Sequence, residues 1–155
     1  MIKFSVPRLD KEPIELSGEE PIEFLGLPEN DSVVPVSGVR YELKVDKVSG
    51  GALVTGSCAA DMSASCGRCL APVDFVLAAD EIEIFLDLEG AGEEVDISED
   101  VRTELLLELP MNVICFDDCR GLCPVCGADL NKEDCSCCKE PSGSLAWGEL
   151  DQLKL

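Results

Sequence analysis

The chain has 155 residues, with 32 acidic side chains against 12 basic ones, no histidine and a formal net charge of −20. Phosphate backbones repel such a surface, and nucleic-acid binding draws its affinity from counterions released at Lys and Arg contacts, so extensive direct RNA or DNA binding is disfavoured. Hydrophobic residues make up 46% and aromatic ones 5%, so a core can be buried, wholesale disorder is excluded, and Leu, Val, Ile and Ala must do the filling.

The longest charge-free run, Val48 to Ala60, is shorter than the roughly 20 residues of a membrane helix. The opening MIKFSVPRLDKEP has a lysine but no apolar run behind it, so no secretory signal is expected and the cytoplasm, where thiols stay reduced, is the expected compartment. The negative surface suits a basic protein partner. It also suits solubility alone, and composition does not choose between the two.

In chain order, residues 1–30 carry short apolar pieces cut by Pro7, Pro13, Pro21 and Pro28, which reads as one or two short strands and loops. Val39, Tyr41, Leu43 and Val45 then alternate with Arg40, Glu42, Lys44 and Asp46, the period of a half-buried strand. Ser49-Gly50-Gly51 supplies a tight hairpin turn, and ALVTGSCAADMSAS is the return strand. Beyond CGRCLAP a third strand places its apolar residues at Val73, Phe75 and Leu77, then at Ile82, Ile84, Leu86 and Leu88. The parity changes near Ala78–Asp80, and a β-bulge there puts both halves on one face. Ser98 can cap a helix in which Val101, Leu105 and Leu109 form a stripe widened by Leu106, ending at Pro110. Between Asp80 and Glu104 there are eleven acids and one base, Arg102, a run that is either a solvated face or a docking surface for cations. In the tail, Leu145, Leu150 and Leu153 are spaced for a short amphipathic helix over 141–155.

Seven cysteines follow the long helix: Cys115, Cys119, Cys123, Cys126, Cys135, Cys137 and Cys138. Cys123-Pro-Val-Cys126-Gly127 is a metal knuckle, since a two-residue gap lets both sulfurs face one ion about 2.3 Å away. With no histidine the remaining ligands must be thiolates, offered by Cys119, Cys137, Cys115 and Cys135, and a closed four-thiolate zinc site is structural rather than catalytic. Iron takes the same ligands, and disulfides require an oxidising compartment. Earlier in the chain, Cys66-Gly67-Arg68-Cys69 has the gap of a redox dithiol, with Arg68 placed to stabilise a thiolate. Its surroundings read as a β-turn with a positioned arginine. No histidine serves a Ser or Cys nucleophile and no Gly-rich phosphate loop follows a strand, so no enzyme is expected.

Taken jointly, Cys66-Gly-Arg-Cys69-Leu70 and Cys115-x-x-x-Cys119-Arg-Gly-Leu-Cys123-Pro-Val-Cys126-Gly-Ala-Asp-Leu-Asn131, followed by Cys135-x-Cys137, resemble the YceD family of large ribosomal RNA subunit accumulation proteins. Cys58 and Cys138 lie outside that pattern. The resemblance implies a bacterial cytoplasmic factor that supports accumulation of large-subunit ribosomal RNA. Charge adds the expectation that its partner is a basic ribosomal protein.

The expected fold is therefore α+β. An antiparallel β-rich body with one main helix fills 1–110, a zinc-binding cysteine segment 111–140 and a tail helix 141–155. The expected function is ribosome biogenesis without enzymatic activity, the alternative being a thiol redox or rubredoxin-like electron-transfer protein.

Overall fold

A computed structural model describes residues 1–28 and 33–137; the expected tail helix and Cys138 lie outside the described residues. The elements run β1 (Lys3–Ser5), α1 (Val6–Leu9), β2 (Ile14–Glu20), a 3-10 turn (Ile22–Leu25), β3 (Val33–Pro35), β4 (Val39–Val48), β5 (Gly51–Ser65), β6 (Pro72–Asp87), β7 (Glu94–Asp96) and α2 (Ser98–Leu107). Over the described residues the protein is thus mostly antiparallel β with one main helix. Residues 1–28 hold two strands and also two short helical turns. Pro7 sits in the first turn of α1, and Pro21 immediately precedes the 3-10 turn. Proline's fixed φ starts such turns as readily as it interrupts strands.

The main sheet has the order β2-β4-β5, with β6 on the other side of β5 and β3 pairing the far end of β5. The β4–β5 hairpin closes on the pair Val48↔Gly51, with Gly50 at φ 88° in the turn. In the β5–β6 ladder, Gly56 pairs with Ile82 and Cys58 with Ala79, so Asp80 and Glu81 together oppose Ser57. That extra residue is the expected bulge. Leu77 and Ala79 before it and Ile82 and Ile84 after it are all buried on one side, because two residues against one restores the parity that a pleated strand would otherwise lose.

Gly56 stands at the bend. Its φ is +146°, and a Cβ there would lie 2.1 Å from the carbonyl oxygen of Glu42. Only glycine lets β4 and β5 approach this closely.

The core lies between the inner face of this sheet and α2. Val39, Val45, Val54, Ala60 and Met62 meet Val101 and Leu105, with Ile2, Phe4, Leu25 and Ile97 closing the edges. Each fully buried aliphatic side chain here contributes about 1.5–3 kcal/mol. The start of α2 differs from expectation. The Ser98 hydroxyl accepts the Ile2 N–H at 2.7 Å, and the Asp96 carboxylate accepts the Ser98 N–H at 3.0 Å. Asp96 therefore takes the role expected of Ser98, because the serine hydroxyl is engaged by the backbone of Ile2, just before β1. The β1–β7 pair places Ile2 there, and the Ile97 N–H returns a bond to its carbonyl at 2.9 Å.

The opposite face of the sheet is uncovered by any described element. Outward side chains of β2, β4, β5 and β6 border hollows of 530 and 670 Å³ along the Gly56 bend, lined by Glu19, Glu42, Asp80, Glu81 and Glu83 with Ser17 and Ser57. No described helix is long and apolar enough to cross a membrane.

Candidate metal centres

Strand β5 ends at Ser65, and the chain turns through Cys66-Gly67-Arg68-Cys69 before β6. The turn is closed by the Leu70 N–H to the Cys66 carbonyl at 3.0 Å and by the Cys66 N–H to the Ala71 carbonyl at 2.8 Å. Leu70 pays for the tightness of this turn with φ 62°, a left-handed conformation uncommon for a non-glycine residue. After α2 the chain returns across this turn. The Gly67 N–H donates to Val113 O at 2.8 Å, the Leu122 N–H donates to Arg68 O at 3.1 Å, and Arg68 Nη1 donates to the carbonyls of Asp117 and Cys119 at 3.0 Å each. Gly121, at φ +73°, lets the returning backbone pass; a Cβ there would lie 2.9 Å from Arg68 O.

This seam gathers the sulfurs of Cys66, Cys69, Cys115 and Cys119 within 4.8 Å of one another. Cys69 and Cys115 approach to 3.6 Å, and Cys66 and Cys119 to 4.0 Å. Cys66, Cys69 and Cys119 are buried. Backbone N–H groups of Arg68 and Cys115 point at Cys66 Sγ from 3.4 Å, and the Asn131 side-chain amide points at Cys119 Sγ from the same distance.

A second group follows directly, with the sulfurs of Cys123, Cys126, Cys135 and Cys137 likewise within 4.8 Å. Cys135 Sγ lies 3.3 Å from Cys123 Sγ and 3.4 Å from Cys126 Sγ. The knuckle forms because the Gly127 N–H returns to Cys123 O at 2.9 Å and the Cys123 N–H reaches Ala128 O at 2.8 Å. Val125 and Cys126 aim their N–H groups at Cys123 Sγ from 3.4 and 3.5 Å. Cys123 is buried, whereas Cys126 and Cys137 are exposed.

Both sets fit a tetrahedral ion. A metal–sulfur bond of about 2.3 Å implies sulfur–sulfur edges of about 3.8 Å; the first set's contacts of 3.6 and 4.0 Å bracket that value, and the second set's 3.3 and 3.4 Å lie a little inside it. A disulfide would bring two sulfurs to about 2.05 Å, and none is formed among the described residues. The protonation of the first set is uneven. Backbone N–H groups of Cys69 and Arg68 bring the Cys66 thiol down to about 6, while burial, followed by the neighbouring Cys119, pushes Cys115 up to about 12. Without a cation the four thiols cannot all ionise, since each new thiolate opposes the next. A divalent ion reverses that balance and releases the protons. Four thiolates leave no open coordination position, so either ion would be structural.

The six cysteines offered from sequence for one ion fall into both groups. Cys115 and Cys119 join the Cys66/Cys69 turn, and Cys123, Cys126, Cys135 and Cys137 form a set of their own. No further ligands stand near Cys66-x-x-Cys69 in sequence, so the pair reads there as a turn; α2 carries the chain back and supplies them. A signal was present in the count, since four short-spaced cysteine pairs make two sets of four. The Arg68 guanidinium acts on the two carbonyls, and it is the Arg68 backbone N–H that reaches the Cys66 sulfur. Asn131 was not anticipated as a donor to sulfur. Cys58 belongs to neither set: it is a core residue of β5 whose thiol burial pushes up to about 11. The dithiol alternative fits poorly, because Cys66 is 0% exposed and its turn joins two strands rather than opening a helix.

The chain is similar to several known proteins. An uncharacterized protein of Mycobacterium tuberculosis (strain H37Rv) is 35% identical over 106 residues, covering 59% of this chain and 51% of the relative. The large ribosomal RNA subunit accumulation protein YCED homolog 1, chloroplastic, of Arabidopsis thaliana is 39% identical over 61 residues, 39% of this chain and 19% of the relative. Its Zea mays counterpart is 39% identical over 54 residues, 35% of this chain and 18% of the relative. The chain thus spans about half the length of the mycobacterial protein and less of the plant ones. No solved structure matches significantly. The family model described as large ribosomal RNA subunit accumulation protein YceD matches residues 54–154, which include both cysteine sets and the arginine seam, and the chain belongs to the YceD family.

Proposed function

We infer that the protein is a non-enzymatic cytoplasmic factor that supports accumulation of large-subunit ribosomal RNA by holding a basic ribosomal protein, with zinc as a structural ion in its cysteine sets. The family membership supports the ribosomal role. The observation that carries the mode of action is the uncovered sheet face. Its hollows are bordered by Glu19, Glu42, Asp80, Glu81 and Glu83, and among the described residues none of these makes an ion pair. The nearby bases are already engaged, Arg40 with Asp61 at 3.0 Å and Lys44 with Asp46 at 2.9 Å. Such a face attracts Lys- and Arg-rich chains and repels RNA. The protein would keep a basic subunit protein apart from non-specific phosphates until its own RNA site displaces it.

The test is a binding measurement between the purified protein and basic large-subunit proteins at about 0.15 M salt, where the screening length is about 8 Å. Binding that weakens with added salt and in a Glu42→Lys, Glu83→Lys double variant is expected. Failure to bind any of them defeats the reading. Metal analysis of the same preparation reports the ion, because iron held by four thiolates is coloured and zinc is not.

A further inference from the structure

The two cysteine sets are alike in chemistry and unlike in how they are held. The first is assembled across the fold, from the β5–β6 turn and the chain beyond α2, and three of its four cysteines are buried. Its halves are also joined by the Gly67–Val113, Leu122–Arg68 and Arg68–Asp117 and Arg68–Cys119 hydrogen bonds. An ion there leaves only if the seam opens. The second set is drawn from fifteen consecutive residues. Among the described residues, the arm bearing Cys135 and Cys137 is joined to the rest by sulfur contacts, Cys135 with Cys123 and Cys126 and Cys137 with Cys126, and by the Arg120–Asp134 ion pair at 2.9 Å. That pair is largely exposed and worth little in water. Cys126 and Cys137 face solvent, so an incoming thiolate or chelator can reach the ion before any protein ligand is lost.

We propose that the Cys123/Cys126/Cys135/Cys137 set is an exchangeable site for a soft divalent cation, carried beside a permanent ion in the Cys66/Cys69/Cys115/Cys119 set. The inference rests on the reading that both sets are metal-loaded. Exchange proceeds by stepwise ligand substitution: external thiolates take the places of Cys137 and Cys126 and then of Cys135 and Cys123, each displaced sulfur taking up a proton from water, and the ion passes outward bound to the external thiolates without oxidation or reduction. The β-rich body does not need to unfold, since no side chain of its sheet ligates this ion.

The full-length protein is loaded with zinc and mixed with excess 4-(2-pyridylazo)resorcinol, and zinc release is followed by absorbance. Two phases of equal amplitude are expected, the slower at least about tenfold behind because it must wait for local opening. A Cys126→Ser, Cys137→Ser variant should lose the fast phase, keep the slow one and retain the circular dichroism of the body. A Cys115→Ser variant should lose the slow phase. Release of both ions in one phase, or survival of the fast phase in the Cys126/Cys137 variant, overturns the inequality while leaving the metal reading in place. Protein that takes up no zinc and no other divalent ion overturns both.

Discussion

Replacing Arg68 by alanine removes a side chain that, beside the cysteine sulfurs, ties the two halves of the buried cysteine seam, and its effect can be worked out from two bonds. Nη1 donates to the Cys119 carbonyl in a half-buried setting and to the Asp117 carbonyl in an exposed one, both at 3.0 Å. Charge-assisted bonds contribute about 1.5–3 kcal/mol when shielded and less when water competes, so the pair is worth about 2 kcal/mol. That corresponds to roughly a thirtyfold increase in the open population of the seam. Native-state amide hydrogen exchange reads this directly. The Gly67 and Leu122 N–H groups cross the same seam to Val113 and Arg68, whereas the β5 amides around Val54 report opening of the body. In metal-loaded protein, Arg68→Ala should speed exchange at Gly67 and Leu122 about thirtyfold and leave the Val54 region unchanged, provided exchange tracks the opening equilibrium. Arg68→Lys should fall between, since an ammonium is a compact donor that seldom serves two carbonyls as a guanidinium does. Unchanged exchange at the seam would show that sulfur contacts alone hold it and would refute the reasoning. A uniform rise across the body would refute the claim that the seam opens locally.

Other consequences can be checked by standard measurements. Gly56→Ala forces a side chain at φ +146° against the Glu42 carbonyl and should cost at least about 2 kcal/mol in urea denaturation; a loss under 1 kcal/mol, on the same scale, would show that the bend relaxes freely. Leu105→Ala empties a site that is 0% exposed and should cost about 2–5 kcal/mol, read in the same assay. The Ser98 hydroxyl, then its N–H, hold the Asp96 carboxyl below its ordinary value. A depressed carboxylate stabilises the fold above its unfolded pKa and loses that contribution as pH falls through the folded one. Asp96→Asn should therefore be less stable than wild type at neutral pH, with the gap closing in acid; a gap constant from pH 7 to about pH 3 would contradict the assignment.

Much of the body was legible because its strands are half-buried, and half-buried strands announce themselves by alternation. The β4–β5–β6 meander follows from Val39 to Val45, from the Gly50 turn and from the parity change in β6. Even the bulge was readable, because seven apolar positions disagreed by one residue. The amino-terminal turns were not, since a proline that begins a helical turn and one that ends a strand look the same in a short polar context. The cap of α2 was misplaced because Ser98 faces the backbone of Ile2, ninety-six residues away, a contact no local window contains. The cysteines failed in the same way. Cys123 and Cys126 advertise each other across two residues, but Cys69 and Cys115 meet only once α2 has reversed the chain.

That distance along the chain has a consequence for how the protein comes into being. The sulfurs of the first set are contributed from points 46 and 53 residues apart, and joining ends so separated costs about 3.5 kcal/mol of chain freedom in the simplest treatment. Synthesis runs from the amino terminus, so the Cys66–Cys69 turn leaves the ribosome with half a ligand set and waits while β6, β7 and α2 emerge. A chain halted before Cys115 can make the whole sheet and still lack the clasp. The fourth sulfur is therefore a mark of completeness, available only to a polypeptide whose translation has passed the body and entered the carboxyl-terminal third.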